Sequence, residues 1–263
     1  MELADKVIVV TGGANGIGAA MCRKFKAEGA RKVVVSDVDA VAAEKVASEI
    51  DGLAIPCNVA DEAQVKHLVD ATIETCGRID VFCSNAGITV KGGLESSNDD
   101  WQRMWDVNVM SRLYAARAVV PKMLERGSGY LVHTASAAGV LTEIGSASYS
   151  VTKHSDVAMA EWLSVCYGRQ GIKVSCVCPL GVKTDFLDED DAIHRYLHLH
   201  SITPEDVADS IVEGMRQEHF LILPHPEVAE FFSLKTDDYD RWIRGMQRLR
   251  QKLTREQAKQ DAA

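Results

Sequence analysis

The 263-residue chain lacks a membrane span: its longest apolar stretches, such as residues 7–10, have the length of a strand. Its seven cysteines form no CxxC pair and have no zinc-ligand spacing. They read as reduced thiols, and a chain of this length buries enough surface to need neither a disulfide nor a structural metal. There is no Pro-, Gly- or Ser-rich linker, no low-complexity tract and no internal repeat. Nor does the start, Met1 to Lys6, carry the basic segment and long apolar core of a signal peptide, so a cytoplasmic location is expected. Positive charge is in deficit too. The formal net charge of −9 repels phosphate surfaces at long range, and neither a nucleic acid nor an anionic membrane is expected as a partner.

What is present is an alternation of two periods. Short β-branched runs at 7–10, 33–35, 53–55, 81–82, 130–132, 174–177 and 220–223 are bounded by Gly, Asp, Asn or Pro. Between them the apolar residues take helical spacing: Ile17, Met21 and Phe25, then Val65, Leu68, Val69 and Ile73. Strands apolar on both faces that alternate with helices predict one doubly wound α/β domain, a seven-stranded parallel sheet with helices on both faces. Residues 1–225 complete that domain. Residues 226–263 are left as a tail, where Trp242, Met246 and Leu249 mark an amphipathic helix from Arg241 onward that packs on the body or on a partner subunit.

After the first strand, Thr11-Gly12-Gly13-Ala14-Asn15-Gly16-Ile17-Gly18 opens directly into a helix. Such glycines let the backbone turn sharply and approach a pyrophosphate, whose charge then sits on the helix N-terminus. Asp37 follows 19 residues after Gly18, at the end of the second strand. A carboxylate there accepts the adenosine ribose hydroxyls and repels a 2′-phosphate. Asp39 is the better-placed cap for the next helix. Neither Asn15 nor Val38 supplies the base a 2′-phosphate would want, and Arg31 and Lys32 lie at the wrong end of the strand. NAD is therefore expected rather than NADP.

Tyr149 and Lys153 lie one helical turn apart. Ser136 precedes Tyr149 by 13 residues at a strand end, Asn108 falls within a helix starting near Trp101, and Asn85-Ala86-Gly87 follows the fourth strand. With these features the sequence resembles the short-chain dehydrogenase/reductase family over residues 3–225. The resemblance implies a Rossmann-type fold, with Gly12, Asn15, Gly16, Ile17 and Gly18 as the cofactor turn. It implies Asn85, Ala86 and Gly87 beside the adenosine, and Asn108, Ser136, Tyr149 and Lys153 as a catalytic tetrad. Asn58, with Val59, stands where the family commonly has an adenine-side acid. Pro179-Leu180-Gly181-Val182-Lys183-Thr184 departs from the family's Pro-Gly-x-Val-x-Thr. Pro179, Val182 and Thr184 still match the nicotinamide side, while Leu180 and the displaced Gly181 put the loop's path over the substrate in doubt.

The side chains suit hydride transfer. Tyr149 would act as the acid/base, its pKa lowered by the Lys153 ammonium; Ser136 would hold the substrate oxygen, and Asn108 would bend its helix and hold a relay water. Phe186, Leu187, Tyr196, Leu197 and Leu199 suggest an apolar pocket for a small to medium lipophilic alcohol or ketone, or else core. His194, His198 and His200 read as polar lid residues rather than metal ligands, and no metal is expected. Glu143 faces the substrate mouth or is an exposed loop carboxylate. Cys176 and Cys178 read as buried thiols. The activity expected is reversible NAD-dependent oxidation of a secondary alcohol. The rivals are an NADPH-dependent carbonyl reductase and an idle NAD-sensing scaffold on the same fold. A homo-oligomer, tetramer or dimer, would pair helices at 98–126 and 149–169, with Trp101, Trp105, Val109 and Leu113 as an apolar stripe.

Overall fold

The computed structural model describes residues 1–184, 186, 192–198 and 201–261. The strands are β1 (Val7–Thr11), β2 (Lys32–Ser36), β3 (Leu53–Ala54), β4 (Val81–Ser84), β5 (Gly129–Thr134), β6 (Ile172–Val177) and β7 (Leu221–Ile222). They form a single parallel sheet in the order β3-β2-β1-β4-β5-β6-β7. Alternation decides which layer each residue joins. Ile8 and Val10, Val33 and Val35, and Tyr130 and Val132 face one core, while Val9, Val34 and Leu131 face the other. With both faces buried, the strands carry no polar face, which is why they read as continuous apolar runs.

The first core is covered by α1 (Gly16–Ala27), α2 (Ala40–Glu49) and α8 (Pro204–Arg216). The second lies under α3 (Glu62–Cys76), α5 (Ser111–Arg126) and α6 (Ala147–Tyr167). Met21 and Phe25 on α1 and Leu68 and Val69 on α3 are buried, as their helical spacing predicts. The edge strands β3 and β7 are shorter than the apolar runs containing them. Side-chain caps set several helix starts: Asp39 accepts the amides of Val41 and Ala42, and Asp61 those of Ala63 and Gln64. Thr203 and Asp206 form a capping box that opens α8.

The helix expected around Asn108 is not continuous. It comprises α4 (Asn98–Trp105), a π turn (Asp106–Met110) and α5. The extra residue per turn rotates the chain, so the expected apolar stripe splits: Val109 turns inward and Trp105 outward. The tail holds two helices. Besides α10 (Tyr239–Asp261) there is α9 (Glu227–Asp237), begun at Pro226, which fixes the backbone torsion for a helix start. Trp242, Met246 and Leu249 lie along the less exposed side of α10, and Leu253 is buried. The Lys235 ammonium on α9 is buried and donates to the carbonyls of Val140 and Leu141, at 2.7 and 2.9 Å. Among the described residues, no helix is long and apolar enough to cross a membrane.

Replacing Lys235 with Met keeps the aliphatic stem and strips both carbonyls of their donor. Chemical denaturation should show a loss of about 1–3 kcal/mol; an unchanged midpoint would mean α9 is not held there.

Candidate active site

The strand order reverses at β1, between β2 and β4, and the crevice at the carboxyl ends of these strands is where open parallel sheets bind ligands. The turn from β1 into α1 is packed against the turn after β4. A Cβ on Gly18 would run into the Gly12 carbonyl and lie 2.7 Å from Asn85 Nδ2, so only glycine allows this approach. Asn85 Nδ2 donates to the carbonyls of Thr11 and Gly12, at 3.0 and 3.1 Å. The Thr11 hydroxyl accepts the amides of Asn85 and Ala86 and donates to the Cys83 carbonyl. Thr11 locks the two turns together, a role its place in the glycine motif hides.

Asn15 makes no side-chain cap on α1, in contrast to the starts of α2, α3 and α8, so the positive end of this helix faces the crevice. Asp37 lies beside it, accepting from the amides of Ala14 and Asp39 at 3.1 Å each. The Cys57 amide donates to the Asp37 carbonyl, which brings exposed Asn58 and buried Val59 to the same rim. Asn58 Oδ1 accepts the Ala60 amide. Arg31 and Lys32 are engaged at the opposite end, on the carbonyls of Cys76 and Asp51. The arrangement can take an anionic group at the helix end and sugar hydroxyls at the carboxylate.

Asn108, Ser136, Tyr149 and Lys153 come together on the same side of the crevice. Asn108 is fully buried, and its side chain is wholly engaged: Oδ1 accepts the Ile88 amide, and Nδ2 donates to the Ile88 carbonyl and to Thr152 Oγ1. It fastens the chain after β4 to α6. The Ser146 hydroxyl caps α6 by accepting the Tyr149 amide, which sets Tyr149 in the first turn. Ser136 stands near enough to the Tyr149 hydroxyl to favour its phenolate, and the Phe186 ring lies 5.7 Å from the Tyr149 ring, centroid to centroid. Burial pushes the Tyr149 phenol above its ordinary range; Ser136 opposes the rise, and the carboxylates of Glu143 and Asp156 add to it. Lowering by Lys153 was the expectation, but the Lys153 ammonium, 5.5 Å from the ring centroid, donates to the Thr134 carbonyl at 2.9 Å. Burial, with Arg112 beside it, brings Lys153 down to about 8.

A Cβ on Gly87 would lie 3.4 Å from Asn108 Oδ1 and 3.5 Å from Lys153 Nζ, so this turn meets the tetrad directly. Behind Lys153 stands a buried group that spacing does not reveal. Arg112 on α5 pairs with Asp156 on α6, and Asp156 also takes the Nδ1–H of His133 on β5.

The loop after β6 closes the other side. The Pro179 carbonyl accepts the Ala137 amide, Val182 pairs with Ile202, and Thr184 lies against the start of α1, with Cγ2 3.1 Å from where a Gly16 Cβ would be. Its path is held by His225, 2 % exposed: Nδ1 accepts the Leu180 amide at 3.1 Å, and Nε2 donates to the Gly181 carbonyl at 3.0 Å. Gly181 is needed because a Cβ there would strike the Leu197 carbonyl of α7 (Ala192–His198). His225 was missed; its one sequence signal is its setting between Pro224 and Pro226 directly after β7.

Glu143 is half-buried and accepts the Gly145 amide. His194 and His198 sit on α7, His194 buried, whereas Leu187, Leu199 and His200 lie outside the described residues. Among the described residues, no group of three His, Cys, Asp or Glu is placed to hold a metal ion. Cys176 and Cys178 are buried with their sulfurs 4.0 Å apart, and the Cys176 thiol is pushed well up by its hydrogen bond to Cys178 and by burial.

The family described as "short chain dehydrogenase" matches residues 6–193. The chain belongs to the short-chain dehydrogenase/reductase family. It is 33% identical over 252 residues to a 1-deoxy-11-beta-hydroxypentalenate dehydrogenase of Streptomyces exfoliatus, covering 92% of this chain and 91% of that one. It is 35% identical over 218 residues to a meso-2,3-butanediol dehydrogenase of Serratia marcescens, covering 79% and 86%. Among solved structures, a short-chain dehydrogenase/reductase of Burkholderia phymatum in complex with NAD superposes with a TM-score of 0.84 at 29% identity, over 91% of this chain and 96% of that one. The protein is thus an oxidoreductase by family, with the Rossmann-type sheet of that family.

For this short-chain dehydrogenase/reductase, replacing His225 with Leu should release the loop after β6. Hydrogen exchange at the Leu180 amide should speed up about fivefold or more, the loss of one buried hydrogen bond. Unchanged protection would show that the loop is held by other contacts.

Proposed function

We propose that the protein is an NAD-dependent dehydrogenase that interconverts a secondary alcohol and a ketone, with Tyr149 as the general acid/base. The observation that carries this reading is the convergence of two half-sites on one crevice. The uncapped α1 N-terminus with Asp37 lies on one side, and Ser136, Tyr149 and Lys153 lie on the other. The residues fit a dinucleotide. The close approach of backbone at Gly18 leaves the α1 amides facing a pyrophosphate, and Asp37 suits ribose hydroxyls while opposing a 2′-phosphate. In this reading Gly12, Asn15, Gly16, Ile17 and Gly18 line the phosphates, and Asn58, Val59 and Asn85 to Gly87 line the adenosine. Pro179, Val182 and Thr184 hold the nicotinamide end. NAD supplies the hydride acceptor when bound.

The chain's own groups do the rest. Ser136 holds the substrate oxygen in line with the Tyr149 hydroxyl. Tyr149 takes the alcohol proton as the hydride departs, or returns it in reduction. Burial raises the phenol, so Ser136 and a nearby cation must favour the phenolate for it to serve near neutrality. Arg112 is the cation that favours the phenolate, and Lys153 provides a donor for the nicotinamide ribose. Asn108 keeps the α6 face in register through Ile88 and Thr152. Phe186 over Tyr149 gives the mouth an apolar wall, in keeping with a lipophilic substrate. The relatives named for a hydroxypentalenate and for butanediol support an alcohol substrate. Trp162 and Val165 stand 55% and 83% exposed on α6, which supports pairing of that helix with a second copy in a homo-oligomer.

Fluorescence titration should show NADH binding at least about tenfold more tightly than NADPH, with Asp37→Ser narrowing the gap; equal affinities in the wild type would refute the role of Asp37. Tyr149→Phe should keep NADH affinity within about twofold and lower turnover by about 10²–10⁴. An unchanged rate would remove Tyr149 as the acid/base.

A further inference from the structure

Lys153 lies between two charges of opposite sign on a single buried network. Its ammonium donates to the Thr134 carbonyl at 2.9 Å, and Arg112 Nη2 reaches the same oxygen at 3.5 Å. Two cations on one carbonyl repel each other strongly where water is excluded. Asp156, one turn along α6 from Lys153, supplies the compensation. Its Oδ2 accepts from Arg112 Nε at 3.1 Å and lies 3.9 Å from Lys153 Nζ, while its Oδ1 accepts the His133 Nδ1–H at 2.8 Å. The side chains of Arg112, Asp156 and His133 are 1%, 0% and 2% exposed. Such charges stay buried at a cost in solvation that an apolar pair would not incur.

We propose that Asp156 and Arg112 are positioning residues for Lys153: Asp156 holds the ammonium charged and in place, and Arg112 orients Asp156 while opposing that charge. The inference rests on the reading of Lys153 as a cofactor-side group. Several elements pack against the Lys153 ammonium. From α6 come Tyr149 and Asp156, from α5 Arg112, and from β5 His133, which acts through Asp156. From the β6 strand and its exit come Cys176 and Cys178; the Cys176 thiol, held far up, carries no charge near neutrality. The turn after β4 presents Gly87, and the short helix 137–139 presents Gly139, neither of which titrates. Burial and Arg112 bring Lys153 to about 8, with Asp156 acting against them. Burial alone would raise Asp156, but Arg112 and His133 hold it below the usual carboxylate range, so it stays charged wherever Lys153 titrates.

Lys153 is an ammonium below about 8 and loses its proton above, so cofactor affinity should fall as pH rises through that value. Removing the Asp156 carboxylate leaves Arg112 unopposed and moves the fall to lower pH. Removing the Arg112 cation moves it to higher pH.

The test is NADH affinity by fluorescence from pH 6 to 10 for the wild type, Asp156→Asn, Arg112→Met and the double variant, each checked for folding by circular dichroism. The expected outcome is a fall displaced downward by about one unit in Asp156→Asn and upward in Arg112→Met, with the double variant between them. A merely structural role would weaken binding evenly across the range without moving the fall, or would move it the same way in both single variants; either result overturns the proposal. Should Asp156→Asn fail to fold, the upward displacement in Arg112→Met and its reversal in the double variant decide the matter. A wild type that binds no NADH refutes the cofactor reading itself, whereas one that binds without an alkaline fall refutes only the role of Lys153 and its partners.

Discussion

The arrangement of the site depends on one buried guanidinium. Arg112 donates to the Ala86 carbonyl in the turn after β4, to the Val107 carbonyl in the π turn, and to Asp156 on α6, and its Nη2 reaches the Thr134 carbonyl at the end of β5. Those are the segments that carry Asn85 to Gly87, Asn108, Lys153 and Ser136. The π turn and α6 lie outside the strand ladders of the sheet, so a rigid fork of five donors is well suited to hold them to the ends of β4 and β5. Breaking such a pair from one side leaves an uncompensated buried charge, at a cost of about 3–5 kcal/mol.

Around that hub the work divides between backbone and side chains. The half-site at α1 is made of main-chain amides, a helix end and one carboxylate, and it needs no basic side chain to meet an anion. A chain with a net charge of −9 can therefore present a local anion site without a basic surface. The other half-site is made of side chains whose proton affinities are shifted by burial, Tyr149 upward and Lys153 downward. The loop after β6 touches both, with Pro179 against the Ser136 turn and Thr184 against α1, and His225 fixes its course from beyond β7. In the proposed reaction that loop would set the distance between the two half-sites.

Much of this was legible before folding because it is local. A strand buried on both faces announces itself as an apolar run, and Gly12 to Gly18 declare a tight turn into a helix. Tyr149 and Lys153 share a helix face through spacing alone, and Asp39 was readable as a cap, leaving Asp37 for another purpose. The parts that escaped are joined only in space. Arg112 and Asp156 stand 44 positions apart, and Leu180 and His225 stand 45 apart. The first pair has no periodicity or neighbour motif to mark it, and the second has only the prolines on either side of His225. The π turn was only half visible, since Asn108 suggested a bend while the split of Val109 from Trp105 needed the backbone itself. The helix α9 starts at Pro226 without a side-chain cap, so it lacks the Ser, Thr, Asp or Asn signal that opens α2, α3 and α8.

The most direct test of the account is a crystal structure of the protein with NADH. The account predicts the pyrophosphate on the amides at the start of α1, both adenosine ribose hydroxyls on Asp37, and the reactive nicotinamide carbon facing the Tyr149 hydroxyl beside Ser136. A dinucleotide bound elsewhere, or one whose nicotinamide is turned away from Tyr149, would contradict it.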